Sequence, residues 1–235
     1  MSRFWPESTA PLGMTASIIE GVRRPPVRPR DAASLILLRP GESGLDVLMG
    51  RRGAGSRFMP GRYVFPGGAV APEDRRAWSG ETGRPARLGK DRLDLALARA
   101  ALRETFEETG MILAGPGGAD MPAGAGAPVE RAYLMQERRP DFSLLTYIGR
   151  AITPAASPVR FHARFFLADG RHAVGTLAGN GELEDLGWHP LPAVEDDRLS
   201  DVTRFMLEHA VAVWRGDASA IAFYRYVGRK PRVTL

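Results

Sequence analysis

Arg103-Glu104-Thr105-Phe106-Glu107-Glu108-Thr109-Gly110-Met111 closes an apolar-periodic segment that begins near Asp91. At about 3.6 residues per turn the spacing predicts a helix with Leu95, Ala98, Leu102, Phe106 and Thr109 on one face. Glu104, Glu107 and Glu108 then fall on the other face. Glu104 stands three and four residues before Glu107 and Glu108, so the carboxylates can converge just off the helix surface. Like charges that close repel unless a cation lies between them, and oxygen-only ligands suit a hard ion such as Mg2+ or Mn2+. Gly110 supplies a left-handed cap that ends the helix where the acidic cluster ends. Taken alone, such a run is most often a solvated helix face, so the rest of the chain has to decide.

The deciding stretch lies upstream. Tyr63-Val64-Phe65-Pro66-Gly67-Gly68-Ala69-Val70 reads as a short apolar strand running into a Pro-Gly-Gly turn. Strand, glycine pair and acidic helix together resemble the signature of the Nudix hydrolases, G-x5-E-x7-R-E-U-x-E-E-x-G-U, where U is a bulky apolar residue. Arg103, Glu104, Glu107, Glu108, Gly110 and Met111 match it. Two positions depart from the pattern. Thr105 stands where the family prefers an apolar residue, and an insert from about Arg75 to Lys90 displaces the helix from the glycine turn. Counting from Gly68, the first acidic position falls at Asp74, and it stays open among Glu73, Asp74 and Asp94. In the family that residue pairs with the motif arginine, here Arg103. The insert resembles the long-insert Nudix subgroup that includes peroxisomal coenzyme A diphosphatases.

The resemblance implies an α/β fold, a Nudix-type α/β/α sandwich with a mixed central sheet. It implies a metal-dependent hydrolase that uses Mg2+ or Mn2+ to cleave the diphosphate of a small-molecule nucleoside diphosphate derivative. Coenzyme A or an acyl-coenzyme A is the favoured substrate; ADP-ribose, NADH and dinucleoside polyphosphates are the alternatives. Glu104, Glu107, Glu108 and the Gly68 carbonyl are implied as metal ligands, with Arg103 orienting the glutamates. The general base is Glu104 or a carboxylate before a later strand, Glu182, with Glu184 in reserve. A catalytically silent Nudix domain that senses a ligand or RNA is the contrasting class.

Basic residues frame this motif. The loop Arg51 to Arg62 is glycine-rich and arginine-bearing, so Arg52 and Arg57 are candidates to hold substrate phosphate through guanidinium forks. Arg160 and Arg164, on the expected strand Arg160 to Ala168, are candidates to face substrate. His162, His172, His189 and His209 show no metalloprotease spacing, and His209 reads as a packed or surface residue of a closing helix.

The remaining order follows from alternation and punctuation. Ala33 to Leu38 and Leu45 to Met49 read as a hairpin about Pro40 to Gly44, Val129 to Glu137 as a helix, and Leu144 to Arg150 as a strand. Asn180 to Trp188 alternates into a strand, Ala193 to Trp214 fits an amphipathic helix, and Phe223 to Tyr226 a strand before basic coil. Residues 1–30 are expected to form a flexible Pro/Arg-rich extension. Residues 31–235 are expected to form a single domain with inserts near 75–90 and 115–128.

With no cysteine, disulfides, thiolate metal sites and a cysteine nucleophile are all excluded. That usage fits a cytoplasmic protein, with an organellar address as the alternative on the Arg-rich, acid-poor sequence before Asp31. No apolar run reaches membrane-spanning length. The net charge of +5 sits largely in the two ends, so no nucleic-acid groove is expected. A homodimer is compatible with the resemblance.

Overall fold

The computed structural model describes residues 27–56, 58–89, 91–115, 126–194, 198–227 and 230–235. Arg57, Lys90 and most of the expected flexible extension 1–30 and of the insert 115–128 lie outside the described residues.

The sheet grows from the predicted hairpin. Strands β1 (Arg30–Gly41) and β2 (Gly44–Arg52) pair antiparallel through Leu38↔Val47 and Pro40↔Leu45. Every residue from Leu35 to Leu38 is fully buried, as expected of a strand covered on both faces. Because side chains alternate, Leu35 and Leu37 enter one core while Ile36 and Leu38 enter a second, on the opposite side of the sheet. The first core is roofed by helix α1 (Arg92–Thr109) and helix α2 (Pro128–Met135), the second by helix α3 (Asp201–Arg215). This is the expected α/β/α sandwich.

Two short strands, β3 (Tyr63–Val64) and β4 (Gly67–Ala69), line the edge of the hairpin, β3 against β2 and β4 against β1. After α1 come β5 (Met111–Gly115), β6 (Arg139–Pro140), β7 (Thr146–Ile152), β8 (Phe161–Asp169), β9 (Ala173–Gly175) and β10 (Leu183–Pro190). The chain ends with β11 (Ala222–Val227) and β12 (Lys230–Thr234). Among the described residues the main sheet runs β10-β2-β1-β8-β7-β11-β12, and β6-β5-β9 form a smaller one. β1 with β8 and β7 with β11 are parallel while the other pairs are antiparallel, so the sheet is mixed.

Three local expectations change. The third helix starts at Asp201, not near Ala193, because the Ser200 side chain accepts the Thr203 amide at 3.2 Å and a 3-10 turn occupies Leu191–Ala193. The tail is not coil: Lys230–Thr234 pairs along β11. The sequence reading gave no strand after Gly110, yet Met111–Gly115 is wholly buried and ladders with β6 and β9, a short apolar run whose period identifies nothing on its own.

Candidate functional site

The α1 helix runs from a capping box at Asp91 and Asp94 to Gly110, whose φ of 74° is the left-handed cap read from the sequence. Asp94 is thereby spent at the helix start. Its last two turns differ from the expected division into one packed and one acidic face. Glu108 is 2% exposed and Arg103 6%, while Thr105 is buried with its hydroxyl on the Ala101 carbonyl at 2.7 Å. The acidic side is covered because β4 packs on it. A Cβ at Gly68 would lie 2.4 Å from the Glu104 carboxylate, so the sheet edge approaches this closely only with glycine. The Gly67 amide donates to Glu108 Oε2 at 2.9 Å.

Arg103 holds the acidic groups in order. Its Nε and terminal nitrogen donate to the two Asp74 oxygens at 3.0 and 2.9 Å, another bond reaches the Ala69 carbonyl at 3.1 Å, and the remaining nitrogen meets Glu107 Oε2 at 3.0 Å. Glu104 Oε1 also lies 3.0 Å from it. Asp74, fully buried and further bonded by the Ala71 amide at 2.8 Å, therefore takes the position left open among Glu73, Asp74 and Asp94. The position counted from Gly68 is the one that contacts Arg103.

Behind it stands a pair that the sequence reading missed. Arg99, 4% exposed, forks onto Glu81 at 2.8 and 2.6 Å and donates to the Asp74 carbonyl at 3.0 Å. Glu81 belongs to the insert, which is also bridged at Thr82↔Asp141 and Ala86↔Thr146. Two arginines one helical turn apart in an otherwise apolar stretch were the available signal.

A cavity of about 430 Å³ opens in front of Gly67 and Gly68, and Glu104, Glu108, Glu182 and Arg52 line it. Burial pushes the Glu108 carboxyl up to about 8, with Glu104 and Glu182 adding repulsion and the Gly67 amide and Arg52 opposing it. Burial likewise raises Glu104, with Arg103 opposing. The Arg52 Nε is buried with no hydrogen-bond partner, and the residue itself lines the cavity wall. Glu107 is turned to Arg103 and is not among the lining residues. Glu184 pairs with Arg51 at 2.8 Å, and Tyr63 donates to Asp185 on the same strand.

Arg160 and Arg164 are not among the described residues that line the cavity. Arg160 donates to the Thr153 carbonyl at 3.2 Å and the Val27 carbonyl at 2.7 Å, bracing the turn before β8. Arg164 is paired with Asp31 at 2.7 Å. Both guanidinium groups are occupied by the chain itself. His209 is packed, its Nε2 lying 3.1 Å from the Ile148 and Ala220 carbonyl oxygens.

Among the described residues no three acidic or imidazole side chains form a ready-made cation cage. The donors facing the cavity are nevertheless all oxygens, two of them on crowded carboxylates with a glycine backbone beside them. That set fits a hard divalent ion held by one or two carboxylates and completed by substrate phosphate oxygens and water. No helix among the described residues is long and apolar enough to cross a membrane.

No family model matches the chain. A curated Caenorhabditis elegans protein named "Putative nudix hydrolase 7" is 31% identical over 169 residues, which is 68% of this chain and 50% of that protein. The chain thus spans about half the length of this curated relative. The crystal structure of a NUDIX hydrolase from Alicyclobacillus acidocaldarius is 34% identical, with a TM-score of 0.56 over 82% of this chain and 86% of that one.

Proposed function

This chain belongs to the Nudix hydrolase family, and from that premise we propose that it hydrolyses the diphosphate linkage of a nucleoside diphosphate derivative with Mg2+ or Mn2+. The observation that carries the reading is the placement of Glu104 and Glu108 on the cavity wall, against Gly67-Gly68 and beside Arg52. Glu104, Glu108 and the Gly68 carbonyl would hold the ion, with Glu107 at the outer edge of the same helix turn. When bound, the ion supplies charge neutralisation at the phosphates and a more acidic water.

The chain's own residues do the rest. Arg103 fixes the glutamates, and Arg52 offers its guanidinium to a phosphate oxygen. Glu182 lines the cavity from the loop before β10, which supports it as the group that takes the proton of the attacking water; Glu104 is the other candidate. One phosphorus gains the water oxygen as the bridging P–O bond breaks, and two phosphate esters leave.

Within this class we favour coenzyme A or its acyl esters. The insert supports this, as does a cavity that continues past Thr153 and Pro154 onto uncharged, mainly apolar side chains. The test is a mass-resolved assay of coenzyme A, an acyl-coenzyme A, ADP-ribose, NADH and a dinucleoside polyphosphate with Mg2+ or Mn2+. Preference for another substrate removes the coenzyme A reading and leaves the chemistry. Metal-independent binding without cleavage favours a sensing module.

A further inference from the structure

One cross-strand row runs from the glycine turn to the far side of the sheet. Ala69 pairs with Ala32, Ala32 with Ala163, Ala163 with Ala151, and Ala151 with Tyr224. Four consecutive positions across β4, β1, β8 and β7 thus carry only a methyl group. Ala32, Ala163, Ala151 and Tyr224 all line the cavity, so this row is its floor. Three strand spacings separate Ala32 from Tyr224, about 14 Å. Larger side chains flank the lane: Phe165 stands two residues along β8 from Ala163 on one side and Phe161 on the other, and both line the cavity. Phe58 meets Phe161 edge-on with ring centroids 5.2 Å apart, while Tyr224 and Tyr226, 5.7 Å apart and also edge-on, stand at the far end.

Charge is distributed unevenly along this lane. Among the described residues the charged lining groups are Arg52, Glu104, Glu108 and Glu182, and Arg52, Glu104 and Glu182 all interact electrostatically with Glu108. Beyond them the described lining offers hydroxyls such as Thr153, Ser200 and Thr203 among apolar groups. A phosphorylated or carboxylated group seated there would lose its hydration with no cation among the described lining residues to replace it; Arg204 acts on Tyr224 from outside the lining, offset by Asp201. An uncharged chain loses little and covers apolar surface.

We propose that the alanine lane is the binding subsite for the second substituent of the diphosphate, and that this substituent is an extended, uncharged, largely apolar arm ending against Tyr224 and Tyr226. Ala163 sets the height of the lane and Tyr226 its end. This assignment rests on the hydrolase reading above and adds which part of the substrate enters the cavity. The aromatic end comes from the last described strands of the chain, and nothing local in Phe223 to Tyr226 announces it.

The test uses two synthetic esters of ADP, one carrying a methyl and one an n-octyl group on the terminal phosphate, with Mg2+ and the full chain. The parent protein is expected to favour the octyl ester in kcat/KM by about ten-fold or more, the scale of a few methylenes in an apolar pocket. In Ala163→Val the added methyls enter the lane, and the octyl-to-methyl ratio should fall about ten-fold. In Tyr226→Ala, at a half-buried position, the ratio should fall at least three-fold. Ratios within two-fold of the parent in both variants overturn the lane. Equal losses on both esters also overturn it, since the shared nucleoside would then occupy the lane. A parent that cleaves neither ester, nor any substrate of the assay above, overturns the hydrolase reading itself.

Discussion

Removing the Asp74 carboxylate is the sharpest structural test of how the motif helix is held. Asp74 is fully buried and accepts two bonds from Arg103, itself 6% exposed, at 3.0 and 2.9 Å. In Asp74→Ala the guanidinium keeps Glu104 and Glu107 on its other nitrogen but loses both partners of its fork. Breaking a buried pair by removing one member costs about 3–5 kcal/mol, because the remaining charge stays desolvated. With two carboxylates still beside Arg103, the low end applies, about 3 kcal/mol. At about 2–4 °C per kcal/mol for a chain of this size, the melting temperature should fall by roughly 6–12 °C. Asp74→Asn, which keeps the shape and one acceptor, should lose about half as much. Urea unfolding followed by circular dichroism, with thermal melts beside it, measures both. If Asp74→Ala unfolds within 0.5 kcal/mol of the parent, about the noise expected of an ordinary surface substitution, the argument for this fork is wrong.

Gly68→Ala should leave the fold in place and lower kcat about a hundred-fold, since the new Cβ would lie 2.4 Å from the Glu104 carboxylate and force it aside; initial rates beside a melting curve check this. Arg52→Ala should raise KM for a diphosphate substrate about ten-fold with little change in melting temperature, because Arg52 lines the cavity and acts on Glu108 rather than on the packed core. Burial, with Arg164 and Arg150 nearby and Asp31 opposing, pushes His162 down to about 4 from 6.5, so its neutral form is the folded one. Its contribution is complete above 6.5 and is lost as pH falls from there towards 4. Discounted by about half for its partly open surroundings, this gives the parent a loss of about 1–2 kcal/mol beyond that of His162→Gln, read from paired urea melts at pH 7 and 4.

Much of this architecture was legible in the chain because its signals are local. The apolar run of Ala33 to Leu38 and the cap at Gly110 each specify an element from neighbouring residues, and both elements form. Counting from Gly68 leads to Asp74, but only the folded insert shows why Glu73 and Asp94 are not used: Asp94 caps its own helix, and Asp74 alone of the three contacts Arg103. The burial of Glu108 was not readable from helical periodicity, which assigns polar residues to the outside; β4 covers that face through contacts some forty residues distant in sequence. Arg160 and Arg164 show the converse. Their spacing suggests a substrate face, yet the carbonyls of Thr153 and Val27 and the Asp31 carboxylate take them. The alanine row depends on the register of five strands and has no signature in any one of them.

The measurement that tests the central claim most directly is hydrolysis of nucleoside diphosphate derivatives by the parent chain and by Glu108→Gln, followed by mass spectrometry across a Mg2+ and Mn2+ titration with a chelator control. The account predicts metal-dependent release of two phosphate esters by the parent and a loss of at least about a thousand-fold in Glu108→Gln, with melting temperatures showing both folded. Near-parental turnover in Glu108→Gln, or turnover that persists when the metal is removed, would contradict it.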